Sequence, residues 1–513
     1  VWLFPQEKAA ANNLRKAAFT LVPVENSLSG QKTERDVTEM DLRNQKKIFP
    51  VTLAALMAAA LMVAGCNNGS AGSTSTTTTT AAQTGPSFVI GTDAPVASVV
   101  SFSVPIESAT ASDGNGNTVS LVSGTPTVDF ARFNGLQTLL DMNDVAAGSY
   151  SNISITLGAA TIGYLNVQAG SAPTIETMAA TYPNGATTYT YTTTLSNPLV
   201  VAQGGSPAGL HLDFDLRKSV AVDSTGAITG AVTPTFNVNG VGVGDSGAYL
   251  DCFDAAVVSV NATAGSFVIQ GPHGRNFTVN VTGQTEWENN ESISSLSTSS
   301  IITLSGTLDR ADATIDADNI AILSQQGFYA GGQITYVQPS SGAASSFDLY
   351  VRGLLPTTTG LTLGQIATVD LSGNENYFIY WWHNPLTQFL FNQSQLLPGQ
   401  HVSVGGPATG AANASDVTVK RVVLRDWGFN GTVVANSAST SNGTFQMQIN
   451  GFAGLLVPQT VTVYIAPHTG WRFGWTGMGD VTAGANVRVV GLLLKSPIDG
   501  STVLLAHYVD ELD

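Results

Sequence analysis

Gly443-Thr444-Phe445-Gln446-Met447-Gln448-Ile449 is the stretch whose reading decides the fold. Phe445, Met447 and Ile449 alternate with Thr444, Gln446 and Gln448, and a period of two places the first set on one face of a pleated strand and the second on the other. Val461-Thr462-Val463-Tyr464-Ile465 repeats the pattern, and Val487-Arg488-Val489-Val490-Gly491 and 503–508 follow, bounded by Gly, Asn, Asp or Pro. The same order of segments occurs twice upstream, at intervals of about 85 to 100 residues. The first copy contains Gly265-Ser266-Phe267-Val268-Ile269, Phe277-Thr278-Val279 and Ile302-Thr303-Leu304-Ser305-Gly306. The second contains Phe347-Asp348-Leu349-Tyr350-Val351, Ala367-Thr368-Val369 and His401-Val402-Ser403-Val404-Gly405-Gly406. In all three, glycine closes the strand before the last. Units of this size and strand number are expected to be small barrels, OB-like, because closure removes the edge strands that an open sheet exposes.

Ahead of the repeats, 87–245 reads as a β-sandwich of short alternating strands, with a short helical piece at 136–141. The fold class is therefore all-β: an N-terminal β-sandwich at 87–245 followed by three small β-barrel-like repeats at 246–325, 326–426 and 427–513. At about 100 to 150 residues per domain, each unit is expected to bury its own core.

The segment 40–66, MDLRNQKKIFPVTLAALMAAALMVAGC, has a basic start, an apolar run at 49–63 and small residues before Cys66. It reads as an export signal, with a membrane-spanning helix as the alternative. Residues 1–39 are read as an over-extension of the reading frame and 40–65 as the signal peptide. Residues 66–86, rich in Ser and Thr, are a tether that cannot bury enough surface to fold, with a reach of about 25 Å. Of the chain's 20 Lys/Arg and 36 Asp/Glu, 8 and 6 lie in 1–65, which leaves 12 and 30 and a formal charge of −18 beyond the signal. So acidic a chain excludes nucleic acid as partner, since that needs basic patches. Cys252 has no second cysteine to pair with once Cys66 is assigned to lipid, and it reads as a small buried hydrophobe in the alternation Tyr249-Leu250-Asp251-Cys252-Phe253.

Three resemblances add to this. Val63-Ala64-Gly65-Cys66 resembles the lipobox of bacterial lipoproteins, which implies cleavage before Cys66, acylation of that residue and a cell-envelope location on the periplasmic or surface face of the outer membrane. Thr92-Asp93-Ala94-Pro95, Val128-Asp129-Phe130, Ala147-Gly148-Ser149-Tyr150 and Asp213-Phe214-Asp215-Leu216-Arg217-Lys218-Ser219, in that order, resemble domain-of-unknown-function family 4382. That likeness implies an exported β-sandwich and brings no activity. The repeats resemble a second such family, number 5666, through a Gly-x-Val, Phe-x-Val, Thr-x-aromatic, Val-x-Gly, Ala-x-x-Ile pattern.

No stretch names a reaction, and no catalytic residue, metal site or cofactor is expected. Gly244-Asp245-Ser246-Gly247 reads as an interdomain turn rather than a protease nucleophile loop, because Ala248-Tyr249 follows it. Asp113-Gly114-Asn115-Gly116-Asn117 reads as a hairpin turn rather than a calcium loop, and Asp309, Asp312, Asp316 and Asp318 as a solvated turn. The aromatic groups are the candidate binding residues: Tyr380, Trp381 and Trp382 in the second repeat, Trp471, Phe473 and Trp475 in the third. They either stack on sugar rings or fill the repeat cores at the position that Trp287 holds in the first. The expected function is a non-enzymatic, lipid-anchored protein whose β-domains form an interaction stalk toward another cell-envelope protein. A carbohydrate-binding surface lipoprotein is the alternative, and an unrecognised hydrolase stands third.

Overall fold

The computed structural model describes residues 84–512 except 95–98, 134–137, 167–173, 204–207, 225–226, 243–247, 272–273, 311–313, 326, 356–359, 381–388, 408–415, 450–458 and 473. The described residues belong to one compact unit, 79–513, and are nearly all β. The segment read as an export signal, Cys66 and the segment read as a tether, up to residue 83, lie outside them. Among the described residues no helix is long and apolar enough to cross a membrane.

The N-terminal domain stacks two sheets. One runs Phe236–Gly242, Ala208–Asp215, Thr84–Ala94 and Thr138–Ala146, with the central pair parallel. The other runs Thr174–Ala179, Thr161–Asn166, Val99–Ser112, Gly148–Leu157 and Tyr189–Val201, with two short strands added on Val99–Ser112. Phe102, Val104 and Ile106 alternate inward along their strand and meet Val89, Leu210, Leu212 and Phe214 of the facing sheet. The Phe214 ring sits edge-on to Phe102 at 5.2 Å and to Phe130 at 4.9 Å. This is sheet-on-sheet packing with interdigitated side chains.

The helical piece expected at 136–141 is a correction: Thr138–Ala146 is a strand, paired with Thr84–Ala94. A register shift sits between Val89 and Ile90, opposite Leu140. With that extra residue, Leu139 and Met142 face one side while Leu140 and Val145 face the other, and both sides are buried. A bulged strand buried on both faces carries apolar residues at near-helical spacing, which period alone cannot distinguish from a helix.

Three modules follow with one connectivity. The first uses Tyr249–Asn261, Ser266–Gln270, Asn276–Asn280, Ile301–Arg310 and Thr314–Ser324; parallel pairing of 278–280 with 314–316 brings the sheet round into a ring. The second uses Phe328–Gln338, Ser346–Leu355, Ile366–Asp370 and His401–Gly406, with Asp416–Thr418 and Arg421–Arg425 sharing the fifth place. The third, Trp427–Val433, Thr444–Ile449, Gln459–Arg472, Asn486–Lys495 and Thr502–Glu511, is a closed barrel. In each, the first strand pairs with the second and fourth, and the third runs parallel to the fifth, which is the strand order of an OB-type barrel. The recurring glycine has a steric cause. A Cβ on Gly491 would lie 2.1 Å from the Leu505 carbonyl oxygen, so the tightly coiled fourth strand approaches the fifth only without a side chain there.

Cores are shared across module boundaries, which corrects the expectation of units that each bury their own. Phe88, Ile90, Leu139 and Met142, on the outer face of the small sandwich sheet, belong to the core of the first module. Leu492, Leu494, Val503 and Leu505 of the third module join the core of the second. A five-stranded ring is too small to bury all its bulky residues inside, so apolar residues turn outward and find a neighbour.

Candidate functional site

A buried polar cluster lies where the first two modules meet beside the sandwich. It begins with a break in alternation. The register shifts between Leu250 and Phe253, and Cys252 takes φ +49°, in the left-handed region. The expected simple alternation from Tyr249 to Phe253 is therefore corrected to a bulge, with Cys252 half-buried rather than in the core. The bulge points the Cys252 carbonyl at Arg425 Nη2, 3.2 Å away, while its N–H donates to Ser305 Oγ at 3.2 Å.

Arg425 ends the fifth strand of the second module and is 2 % exposed. Its Nη1 donates to Ser403 Oγ at 3.0 Å and to the Tyr329 hydroxyl at 3.1 Å, and stands 2.9 Å from Asp254 Oδ1. Nη2 also reaches Thr303 Oγ1 at 2.8 Å. Tyr329 donates a short hydrogen bond to Asp254 Oδ2, and Tyr380 OH lies 3.0 Å from Ser305 Oγ. Burial opposes the guanidinium charge, but Asp254, Tyr329 and Cys252 around it hold its pKa above the ordinary arginine range. Burial likewise pushes the Cys252 thiol up to about 12, against the pull of Arg425. At neutral pH this cysteine is a thiol, not the thiolate that nucleophilic chemistry needs.

The next residues tie in the third module. Asp426 Oδ2 accepts from His507 at 2.8 Å, and the Asp426 carbonyl lies 3.1 Å from His401 Nδ1, which must therefore carry the proton. The His401 ring rests 4.5 Å from that of Trp427. Burial pushes the His401 pKa well below the usual histidine value, and Arg425, Arg352 and Arg132 push it further, against the Asp426 hydrogen bond. An unfolded His401 takes up a proton near pH 6.5 and the folded one refuses it. Stability is therefore expected to fall as pH drops below about 6.5, by up to about 1.4 kcal/mol per pH unit from this group. Urea titrations between pH 7 and 5 measure it, and His401→Gln should remove that part of the slope; an unchanged slope would refute the assignment.

Above this cluster a cleft of about 420 Å³ opens between Val128, Phe133 and Leu140 of the sandwich and Phe253 and Gln270 of the first module. It shares Arg132, Phe133, Thr138 and Asp254 with an inner cavity of about 40 Å³ that reaches Cys252, His401 and Arg425. Clefts of this size at domain boundaries are where small ligands sit. No sequence motif marked this junction; its only signal was Asp254 within, and Arg425 at the end of, largely apolar strands.

The aromatic candidates do not form one surface. Tyr380 is fully buried, its hydroxyl held by Ser305. Trp475 is 6 % exposed and Trp471 is half-buried against it, ring centroids 6.4 Å apart. Trp381, Trp382 and Phe473 lie outside the described residues. A common role is visible in the pairing. Glu286–Trp287 and Asn376–Ile379 are short extra strands parallel to the fifth strand of their module, and 470–472, the end of the third strand beyond a register shift, pairs parallel with the fifth in the same way. Asp113 accepts from Asn115 N at 2.9 Å, Asn117 N at 2.8 Å and Asn117 Nδ2 at 2.7 Å, so its carboxylate closes the hairpin turn. Asp316 accepts from Asn280 at 2.8 Å. Among the described residues no three His, Cys, Asp or Glu side chains gather as a metal site would require.

Residues 89–229, most of the sandwich, match the family model described as Domain of unknown function (DUF4382). This part of the chain is similar to that family, whose description carries no activity. Among curated proteins, none matches the chain.

Proposed function

We propose that this is an exported bacterial lipoprotein, anchored through acylated Cys66, that acts as a non-enzymatic interaction protein of the cell envelope. The observation that carries the reading is the order of its parts: an apolar, small-residue run closing on Cys66, a Ser/Thr-rich tether, and a compact β body from residue 84. The likeness of the three modules to domain-of-unknown-function family 5666 belongs to the same reading. Use of the scarce cations supports it. Arg275 reaches the Met142 carbonyl at 3.2 Å, Arg352 the Ala131 carbonyl at 3.0 Å, Arg421 Glu291 at 3.1 Å, Arg425 Asp254, and Lys495 the Ser394 carbonyl at 2.7 Å. Each of these contacts crosses from one module to another. Positive charge fastens the body internally, and the acidic remainder suits a protein partner or a glycan rather than a nucleic acid.

Intact mass of the protein from the membrane fraction should correspond to a chain beginning at Cys66 with added acyl groups, and Cys66→Ala should move it to the soluble fraction. An unmodified chain that retains residues 40–65 would overturn the proposal. The carbohydrate-binding alternative rests, among the described residues, on Trp471 alone, since Tyr380 and Trp475 point inward. A glycan-array signal lost in Trp471→Ala would favour it.

A further inference from the structure

A second groove, of about 610 Å³, runs between the first and second modules, lined by Gln325, Asn376, Gly405, Gly406, Lys420 and Arg421 among others. Lys420 and Arg421 are adjacent cations in a region that has only 12 beyond residue 65. The Arg421 guanidinium lies 4.2 Å over the Phe378 ring and gives Nη1 to Glu291 Oε1 at 3.1 Å. Its Nε and Nη2 are buried and make no hydrogen bond among the described residues. Those two atoms form the side-on edge of a guanidinium, with two parallel N–H bonds at the spacing of the two oxygens of a carboxylate. A buried donor without an acceptor is destabilising, so this edge favours an acceptor that the described residues do not supply. Reaching it asks for a side-chain adjustment in the groove wall, since Arg421 itself lines the groove.

Lys420, exposed, adds a second positive charge beside the edge, and Glu291 offsets one of the two. The exposed amides of Gln325 and Asn376 offer donors and acceptors for hydroxyl groups. We propose that this groove binds an acidic sugar: the carboxylate of a uronate residue pairs with Nε and Nη2 of Arg421, Lys420 supplies charge, and the amides take the ring hydroxyls. The site is independent of the aromatic cluster and of the lipid anchor.

The test uses the full chain in detergent, titrated calorimetrically with tri-galacturonate and with its methyl ester. Saturable binding that weakens with salt, an ester bound at least about tenfold less tightly, and a similar loss in Arg421→Lys are expected, since lysine keeps the charge but not the fork. Lys420→Glu, at an exposed position outside the Glu291 contact, should also weaken binding at least about tenfold and keeps the test valid where Arg421→Lys is less stable. Equal affinity for acid and ester, absence of saturable binding, or affinity unchanged in Lys420→Glu would each overturn the proposal.

Discussion

Replacing Arg425 with Gln is expected to destabilise the protein by about 3–5 kcal/mol, the usual result of removing one partner from a buried ion pair. Arg425 is 2 % exposed and Asp254 lies 2.9 Å from its Nη1, so the substitution leaves a carboxylate in a site without its counter-charge. It also removes hydrogen bonds to Ser403, Thr303, Tyr329 and the Cys252 carbonyl. Because Asp254, Cys252 and Thr303 belong to the first module and Ser403 and Tyr329 to the second, the loss falls on the contact between them. The double variant Arg425→Met with Asp254→Leu should recover much of the stability, since both charges then escape desolvation. Urea denaturation of the two variants measures the difference. A cost below about 1 kcal/mol for Arg425→Gln would place the cation at an ordinary surface pair rather than a buried one.

Phe88→Ala should cost about 3–5 kcal/mol by the same measurement, the range for emptying a fully buried aromatic site. Phe88 is 0 % exposed, and its neighbours in the core include Leu139 and Met142 of its own sheet and residues of the first module. The adjacent Val89 points into the sandwich core. Phe88 thus holds the sandwich to the module rather than its two sheets to each other. Interface loosening should accompany the loss of stability, seen as faster amide exchange along both Thr84–Ala94 and Tyr249–Asn261. Slower or unchanged exchange in Tyr249–Asn261 would contradict that placement.

These two residues mark the boundary of what the chain made legible. Phe445-Gln446-Met447-Gln448-Ile449 alternates because one face of its strand meets the barrel core and the other does not, and such strands announce themselves. Thr138–Ala146 did not, since it is covered on both faces and bulged. The Cys252 bulge was equally hidden: Tyr249 to Phe253 reads as an unbroken alternation, although the register shifts between Leu250 and Phe253. The aromatic groups were recognisable as a repeated position, yet whether Tyr380 met solvent depended on a neighbour 75 residues away, Ser305, which takes its hydroxyl. Likewise, nothing near Arg421 in sequence tells that Glu291 occupies one nitrogen and that, among the described residues, nothing bonds the side-on edge.

By itself the sequence determined the β class, the three-fold recurrence of one unit, the closing glycines and the match of residues 89–229 to their domain family, because each rests on local period or local sterics. Only the tertiary structure decided that the modules share cores, that scarce cations bridge them, and that a cleft and a groove open at their seams. Those features depend on contacts between residues far apart in the chain, and local period carries no record of which outward-facing apolar residue, or which buried charge, will meet which.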